Sequence, residues 1–462
     1  EWQEASWEVA LDFAISGLKK NAQTPNQLGV LASNNSTLEE YYLMQKLARG
    51  FGTENIDFRL DHANLSPGSS MDSSITLSEI ESVDHALILS SYTRLEQPMI
   101  NHRIRKAVIN GATVNTINSK KFDFNFKTKI DLLTAPQALL PALQSILKSL
   151  YLKTKADLPE QLSKVNSSDE HDKIANDLIA SENGVIVLGE HLKSNPSNSV
   201  IISTVSQIAQ ISNSKIANLT LSGNAHSAEK VGFIPTNQGM NASSMLTESC
   251  KAFLLMDVDS QYDFFNPKLA MDLFNKDDVF VVSLTSFEDQ STLLSADVIL
   301  PMASFYETSG THINFDGIAQ SFSASVKSPG DSKPGWKIIK VMADLLELEG
   351  FSFVDSSQVA EEALLSSKVQ TQINGSFAES FEDSDITTLW QYAPYAIDNV
   401  TRRAKALQES NIGKINSAYI AKSTAKKLSL SQDDLYLGVP VSISDDVAED
   451  CVFVHTSQAR RV

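Results

Sequence analysis

Cysteine is almost missing from this chain: its 462 residues include only Cys250 and Cys451. Neither has a second cysteine within ligand spacing, and the only histidine at such spacing is His455, four positions after Cys451. An iron–sulfur cluster needs a full set of thiolates and a structural zinc a full set of nitrogen and sulfur ligands, so neither can be assembled locally. Long apolar runs are missing too, and no window approaches the ~18 residues of a membrane-spanning helix. The opening EWQEASWEVALDF lacks the basic flank and apolar core of a secretory signal. Two free thiols without such a signal fit a reducing cytoplasm. Basic charge is scarce beside acid, 38 Lys and Arg against 56 Asp and Glu, for a formal net charge of −18. Such a surface repels phosphate backbones and anionic lipid, so no nucleic acid and no direct membrane insertion are expected. GxGxxG after a strand, GxxxxGK[ST], HExxH, CxxC and GxSxG are all absent. The eight histidines (62, 85, 102, 171, 191, 226, 312 and 455) are scattered, with none paired at i+3 or i+4. The chain starts at Glu1 without a methionine and is expected to be part of something longer.

What is present is an alternation of strands and helices, the pattern of parallel sheets covered by helices. Residues 29–32 (GVLA) read as a buried strand, followed by Thr37 with Glu40 three positions on, a capping box. The helix YYLMQKLARGFG is then stopped by Gly50 and Gly52. A second unit runs from the strand 85–89 through a helix near 98–110 to a strand at 113–117. Strand 184–188 with helix 199–211, strand 253–256 with helix 267–274, and the apolar run 279–284 continue the series. Residues 155–173, which leave room for a short helix carrying Leu158 and Leu162, and the Ser- and acid-rich 366–388, with an acidic run at 379–385, interrupt it. From Ile415 short β-prone runs between turns suggest the start of a small β-barrel.

Few side chains invite a chemical reading. Val298 to Leu300 form a short apolar run ended by Pro301, and Glu307, Gly310, Thr311 and Asn314 follow in a polar loop. His312 in GTHIN reads as a hydrogen-bonded loop histidine. Ser145 and Lys148 have Ser-x-x-Lys spacing, but on a helix whose solvated face explains them. Glu96 can be read as a buried acid with Arg94, Arg103 and Arg105 nearby, but the last two face different sides of a helix and cannot form one clamp. Glu96 is expected near a helix start, complementing the dipole. The Asn-x-Ser/Thr sites at Asn34, Asn218 and Asn241 need no explanation beyond chance in so Asn- and Ser-rich a chain.

The stretch ADVILP…E..GT..N..G..Q at 296–320 resembles the molybdopterin oxidoreductase superfamily, where this loop lies against a large pterin cofactor or the space one once filled. A closer resemblance, nearly end to end, is to the large iron–sulfur subunit of bacterial respiratory complex I, the NADH:quinone oxidoreductase. It rests on WEVALDFAISGL, on the first and second βα units, and on FIPTNQGMNASSML with Gly239, Asn241 and Ala242. Its most telling piece is YAIDNVTRRAKALQES at 395–410. Asp316, Gly317 and Ile318 stand where that family has Glu-Gly-Arg, so an arginine that could bind an anion is missing. In molybdenum enzymes of the superfamily the metal ligand would lie near 59–70, where there are Asp61 and several serines but no ligand motif. Cys250, just ahead of the FLLMD strand, is in a different place and reads as a core or surface thiol.

The resemblance implies an α/β fold of two interleaved Rossmann-like domains, 1–60 with 248–390 and an inserted 61–247, then a linker helix and partial β-barrel at 391–462. It implies a non-catalytic scaffold supporting electron transfer from NADH to quinone, with no catalytic, cofactor-binding or metal residue assigned. No cofactor is expected in this stretch; [2Fe–2S] and [4Fe–4S] clusters would belong to an N-terminal part of the full subunit. Partners would be other subunits of the hydrophilic arm, on the cytoplasmic side of the bacterial inner membrane. The alternative is the catalytic chain of a formate-dehydrogenase-like molybdopterin enzyme. That would require a metal ligand at 60–75, basic and glycine-rich contacts for the dinucleotide phosphates and a complete barrel. A third reading is a free-standing small-molecule-binding protein.

Overall fold

The computed structural model describes residues 2–61, 73–193, 195–220, 223–236, 239–248, 250–366 and 386–458. One sheet has five parallel strands in the order Val298–Pro301, Phe280–Thr285, Ala252–Met256, Leu28–Ala32, Ile56–Asp57. Every residue of its three central strands is buried. That explains their unbroken apolar runs, since a parallel sheet is covered on both faces. Val30, Leu254 and Val282 face the helices Trp7–Asn21, Leu38–Phe51 and Gly335–Leu345. Leu31, Phe253, Leu255 and Val281 face Ala242–Thr247 and Pro267–Phe274. The helix Leu38–Phe51 opens with a full capping box: Thr37 accepts from the Glu40 N–H, and Glu40 accepts from the Thr37 N–H at 2.8 Å. It closes on Gly52 at φ 100°, a left-handed position that suits glycine.

The second sheet is also parallel, in the order Ile130–Leu133, Thr113–Asn118, His85–Leu89, Gly184–Leu188, Lys215–Asn218. Leu87 and Leu89 pack under Pro136–Thr154, Asp169–Ala180 and Asn198–Ser212, while Ala86 and Ile88 pack under Pro98–Ile109. A third, mixed sheet runs Thr387–Tyr392, Cys451–Thr456, Asn416–Ile420, Val439–Ile443, Leu435–Tyr436 and curls into half a barrel. Among the described residues no helix is long and apolar enough to cross a membrane.

Two local readings of the sequence change. Gly310–Ile313 is not loop but one arm of an antiparallel hairpin with Ala319–Phe322. Its outer N–H groups bond to helical partners instead of water, Thr311 to Glu39 and Ile313 to Asn224. The polar interval 155–173 contains the expected short helix, Glu160–Ser163 with Leu162 buried, but also the unexpected start of Asp169–Ala180, which Ser168 caps by accepting from the His171 N–H. The acidic run 379–385 lies outside the described residues.

Candidate functional site

In open α/β sheets the ligand crevice lies beyond the carboxyl ends of the strands, where loops and helix N-termini meet. In this chain acids occupy those ends. After Leu28–Ala32 come Glu39 and Glu40; after Ala252–Met256 come Asp257, Asp259 and Asp263; after Phe280–Thr285 comes Asp289. The second sheet contributes Ser91 and Glu96 beyond His85–Leu89, and Glu190 and His191 beyond Gly184–Leu188. Its two central turns touch backbone to backbone: a Cβ on Gly189 would lie 2.1 Å from the Ser90 carbonyl oxygen.

These acids are held by hydrogen bonds and deprived of water. Glu39 accepts from the Thr311 N–H at 2.9 Å and from its hydroxyl at 2.8 Å, yet burial pushes its carboxyl up to about 7. Burial also raises Glu40 against the bonds from Thr37. Asp257 is pushed up to about 7 by burial, with Asp263 and Glu40 adding repulsion. Glu96 accepts from the Ser91 hydroxyl at 2.9 Å and the Tyr92 N–H at 3.1 Å, and from the side-chain amide of Gln391 on the third sheet. Its other close neighbour is His191, with Nε2 at 3.8 Å. Burial again dominates, raising Glu96 to about 7. His455, paired in register with Gln391 on the third sheet, is held down to about 4 by burial and by the charges of Lys120 and His191.

The cations here are already engaged. Arg402 donates to Asp263 at 2.6 Å, to the Ala396 carbonyl at 2.6 Å, to the Ile397 carbonyl at 2.9 Å and to Asn399 at 3.1 Å. Asp259 lies 3.5 Å away and the Tyr262 ring sits 4.8 Å beneath the guanidinium. Arg403 donates to Asp289 at 2.9 Å and stacks 4.3 Å over Phe287. Lys193 is 3.0 Å from Glu190. Nearby, a cavity of about 710 Å³ is lined by Tyr42, Arg49, His226, Lys230 and Asp316 among others, with Arg49 tied to Glu54 at 3.1 Å.

The side chains singled out in the sequence have local duties. Glu307 accepts from the Ser304 N–H at 2.9 Å, and Asn314 closes its turn by accepting from Asp316 and Ile318. Gly317, at φ 76°, sits in that turn, and Asp316 fixes the Leu77 N–H at 2.7 Å. His312 lies on a strand with its ring against Phe322 at 5.4 Å. Asn241 caps its helix, and Gly239 is required because a Cβ would meet the Glu54 carbonyl oxygen at 2.1 Å. Ser145 bonds the Pro141 carbonyl, and Lys148 bonds the Ser163 and Val165 carbonyls, so they do not act as a pair. Glu96 does lie at a helix start, accepting from the N–H of Tyr92, which caps Thr93–Glu96, and directly preceding the cap of Pro98–Ile109, but it is also a buried acid between two sheets. Its nearby arginines serve other acids, Arg94 with Asp123 and Arg103 with Glu81. Burial pushes Cys250 and Cys451 up to about 12, so neither offers a thiolate near neutral pH. Of the stretch 59–70, where the resemblance would set a metal ligand, Arg59, Leu60 and Asp61 are described and 62–70 lie outside the described residues. Among the described residues no three His, Cys, Asp or Glu side chains converge to hold a metal ion. Sequence reasoning missed the acids at the strand ends, although FLLMDVDSQYD at 253–263 signals them: a buried strand running straight into alternate carboxylates.

Comparison with known proteins places this arrangement. The model of the family described as molybdopterin oxidoreductase matches residues 1–345. The NADH-ubiquinone oxidoreductase 75 kDa subunit of Reclinomonas americana is 21% identical over 380 residues, covering 75% of this chain and 48% of that protein. The F420-dependent formate dehydrogenase 1 subunit alpha of Methanococcus maripaludis is 25% identical over 439 residues, covering 78% of this chain and 63% of that one. The chain thus spans about half to two-thirds of the length of these relatives. Acetylene hydratase from Pelobacter acetylenicus has the same fold, with a TM-score of 0.67 at 13% identity over 99% of this chain and 83% of that one.

Proposed function

Because the chain belongs to the molybdopterin oxidoreductase family, we propose that it is a non-catalytic member, the scaffold portion of the large iron–sulfur subunit of an NADH:quinone oxidoreductase. The observation that carries this reading is the charge of the crevice. A pterin dinucleotide brings phosphates, which need unpaired cations and backbone N–H groups. Among the described residues, the strand ends offer buried acids instead, and Arg402, Arg403 and Lys193 are each bound to a carboxylate. The residues present do not fit the group. In this reading the chain carries no cofactor of its own. It supports electron transfer by holding cluster-bearing and neighbouring subunits together, as a peripheral component on the cytoplasmic side of the membrane.

A second reading, a formate-dehydrogenase-like catalytic chain, is favoured by the length of the match to the Methanococcus maripaludis protein. One experiment separates the two. Elemental analysis and pterin fluorescence of the purified full-length protein, expressed in its native host, should give no stoichiometric Mo or W and no pterin. Stoichiometric metal with pterin would establish the catalytic reading.

A further inference from the structure

The segment 395–403 raises a question that the scaffold reading leaves open: why two adjacent arginines should be brought to an acidic crevice. Arg402 is nearly buried, its side chain 9% exposed, and every nitrogen of its guanidinium has a partner. The carboxylates it meets come from the loop after Ala252–Met256, and they are held for the purpose. Asp263 accepts from the Asp259 N–H at 2.8 Å through its second oxygen, so the two acids are fixed relative to one another. Asp259 also accepts from the Ser291 hydroxyl at 3.1 Å, and Asp289 caps the helix Gln290–Ser295 by accepting from the Thr292 N–H at 2.8 Å. Asn399 completes the seat by donating to the Asp257 carbonyl at 3.0 Å and accepting from Arg402. Each arginine lies over an aromatic ring, Tyr262 and Phe287. Planar guanidinium groups on aromatic faces, in a position of low water access, are what a protein uses to hold phosphate oxygens.

We infer that Arg402 and Arg403 form an anion site already filled by the chain's own carboxylates Asp259, Asp263 and Asp289, which closes this end of the crevice to phosphate-bearing ligands. The carboxylates stand where phosphate oxygens would. This rests on the scaffold reading and deepens it by naming the residues that exclude the ligand. It also gives the arginine pair a structural duty, since the same bonds fasten the segment leading from Thr387–Tyr392 onto the first sheet. Self-occupation has a consequence that simple loss of a ligand lacks: removing the internal anion should restore affinity for an external one.

The test uses inorganic pyrophosphate as probe on the full-length protein, read by calorimetry and by melting temperature. Wild type should show no saturable binding at millimolar pyrophosphate. Asp263→Asn, isosteric but neutral, should bind it at least about tenfold more tightly than wild type and be stabilised by it. Asp289→Asn, which frees the more exposed Arg403, should do the same and guards against a fold lost in the first variant. Asp272→Asn removes an equal charge from the exposed face of Pro267–Phe274 and should bind no better than wild type. Wild-type binding as tight as that of the variants would overturn the inference, and so would folded Asp263→Asn and Asp289→Asn proteins that gain nothing. Metal or pterin in the purified protein would overturn the scaffold reading instead, so the two failures are distinguishable.

Discussion

Glu96 offers the sharpest quantitative test, because a single carboxyl lies between the second and third sheets with almost no access to water. Its carboxyl moves from 4.5 to about 7. Each unit is worth about 1.36 kcal/mol, so keeping Glu96 ionised in the fold costs on the order of 3 kcal/mol. The direction follows from linkage. Below 4.5 the folded and unfolded chains both carry the proton and the group contributes nothing. Between 4.5 and about 7 the unfolded chain loses its proton first, so stability falls as pH rises; above about 7 the penalty is constant. The isosteric substitution Glu96→Gln removes the titration but keeps an acceptor for Ser91 and Tyr92. Gln391 can adapt, because its Oε1 has no partner among the described residues and a rotated amide would accept from the new side chain. Urea unfolding of both proteins at constant ionic strength should find the variant about 2–3 kcal/mol more stable at pH 8 and level with wild type near pH 4.5. His455 titrates in both proteins and cancels in the difference. A gain that is the same at both pH values would refute the reasoning, since it would mean packing rather than charge distinguishes the two side chains.

Three further outcomes follow from the geometry. Gly189→Ala should destabilise by about 1–3 kcal/mol or more, measured by urea unfolding, because its Cβ would overlap the Ser90 carbonyl oxygen. Thr37→Ala should cost about 1 kcal/mol by losing one half of the capping box, while Thr37→Ser should recover most of it. Cys250 and Cys451 should resist a thiol reagent such as dithionitrobenzoate at pH 7 in the native protein and react fully in denaturant; rapid native labelling would contradict their burial.

The strands were the most legible part of the chain, for a physical reason. A strand buried on both faces must be apolar throughout, so GVLA, HALIL, GVIVL and FVVSL are visible without context. The helix Leu38–Phe51 was equally clear because its stop and start signals are local: a capping box and a left-handed glycine. Legibility fails where partners are distant in sequence. Asp169–Ala180 buries only Ile174, Ala175 and Leu178, so its polar face hid it in a stretch that read as a break. The hairpin at 310–322 reads as loop because what fixes its edge is Glu39, far up the chain. Glu96 could be suspected as a buried acid, but its neighbours Gln391 and His191 come from separate elements that no spacing rule connects. The aspartates that bind Arg402 and Arg403 were likewise invisible as partners, though the arginine pair itself stood out.

The pairing of Leu28–Ala32 with Ala252–Met256 has a consequence for how the molecule comes into being. A nascent chain can set the first of these strands beside Ile56–Asp57 early, but its other edge waits for a neighbour made far later, whereas all strands of the second sheet arrive within one uninterrupted stretch. The second sheet can therefore close on the ribosome while the open edge of Leu28–Ala32 waits for the later segment. Chaperone capture of ribosome-bound chains should peak in that interval, and translational pausing before residue 252 should lengthen the vulnerable period.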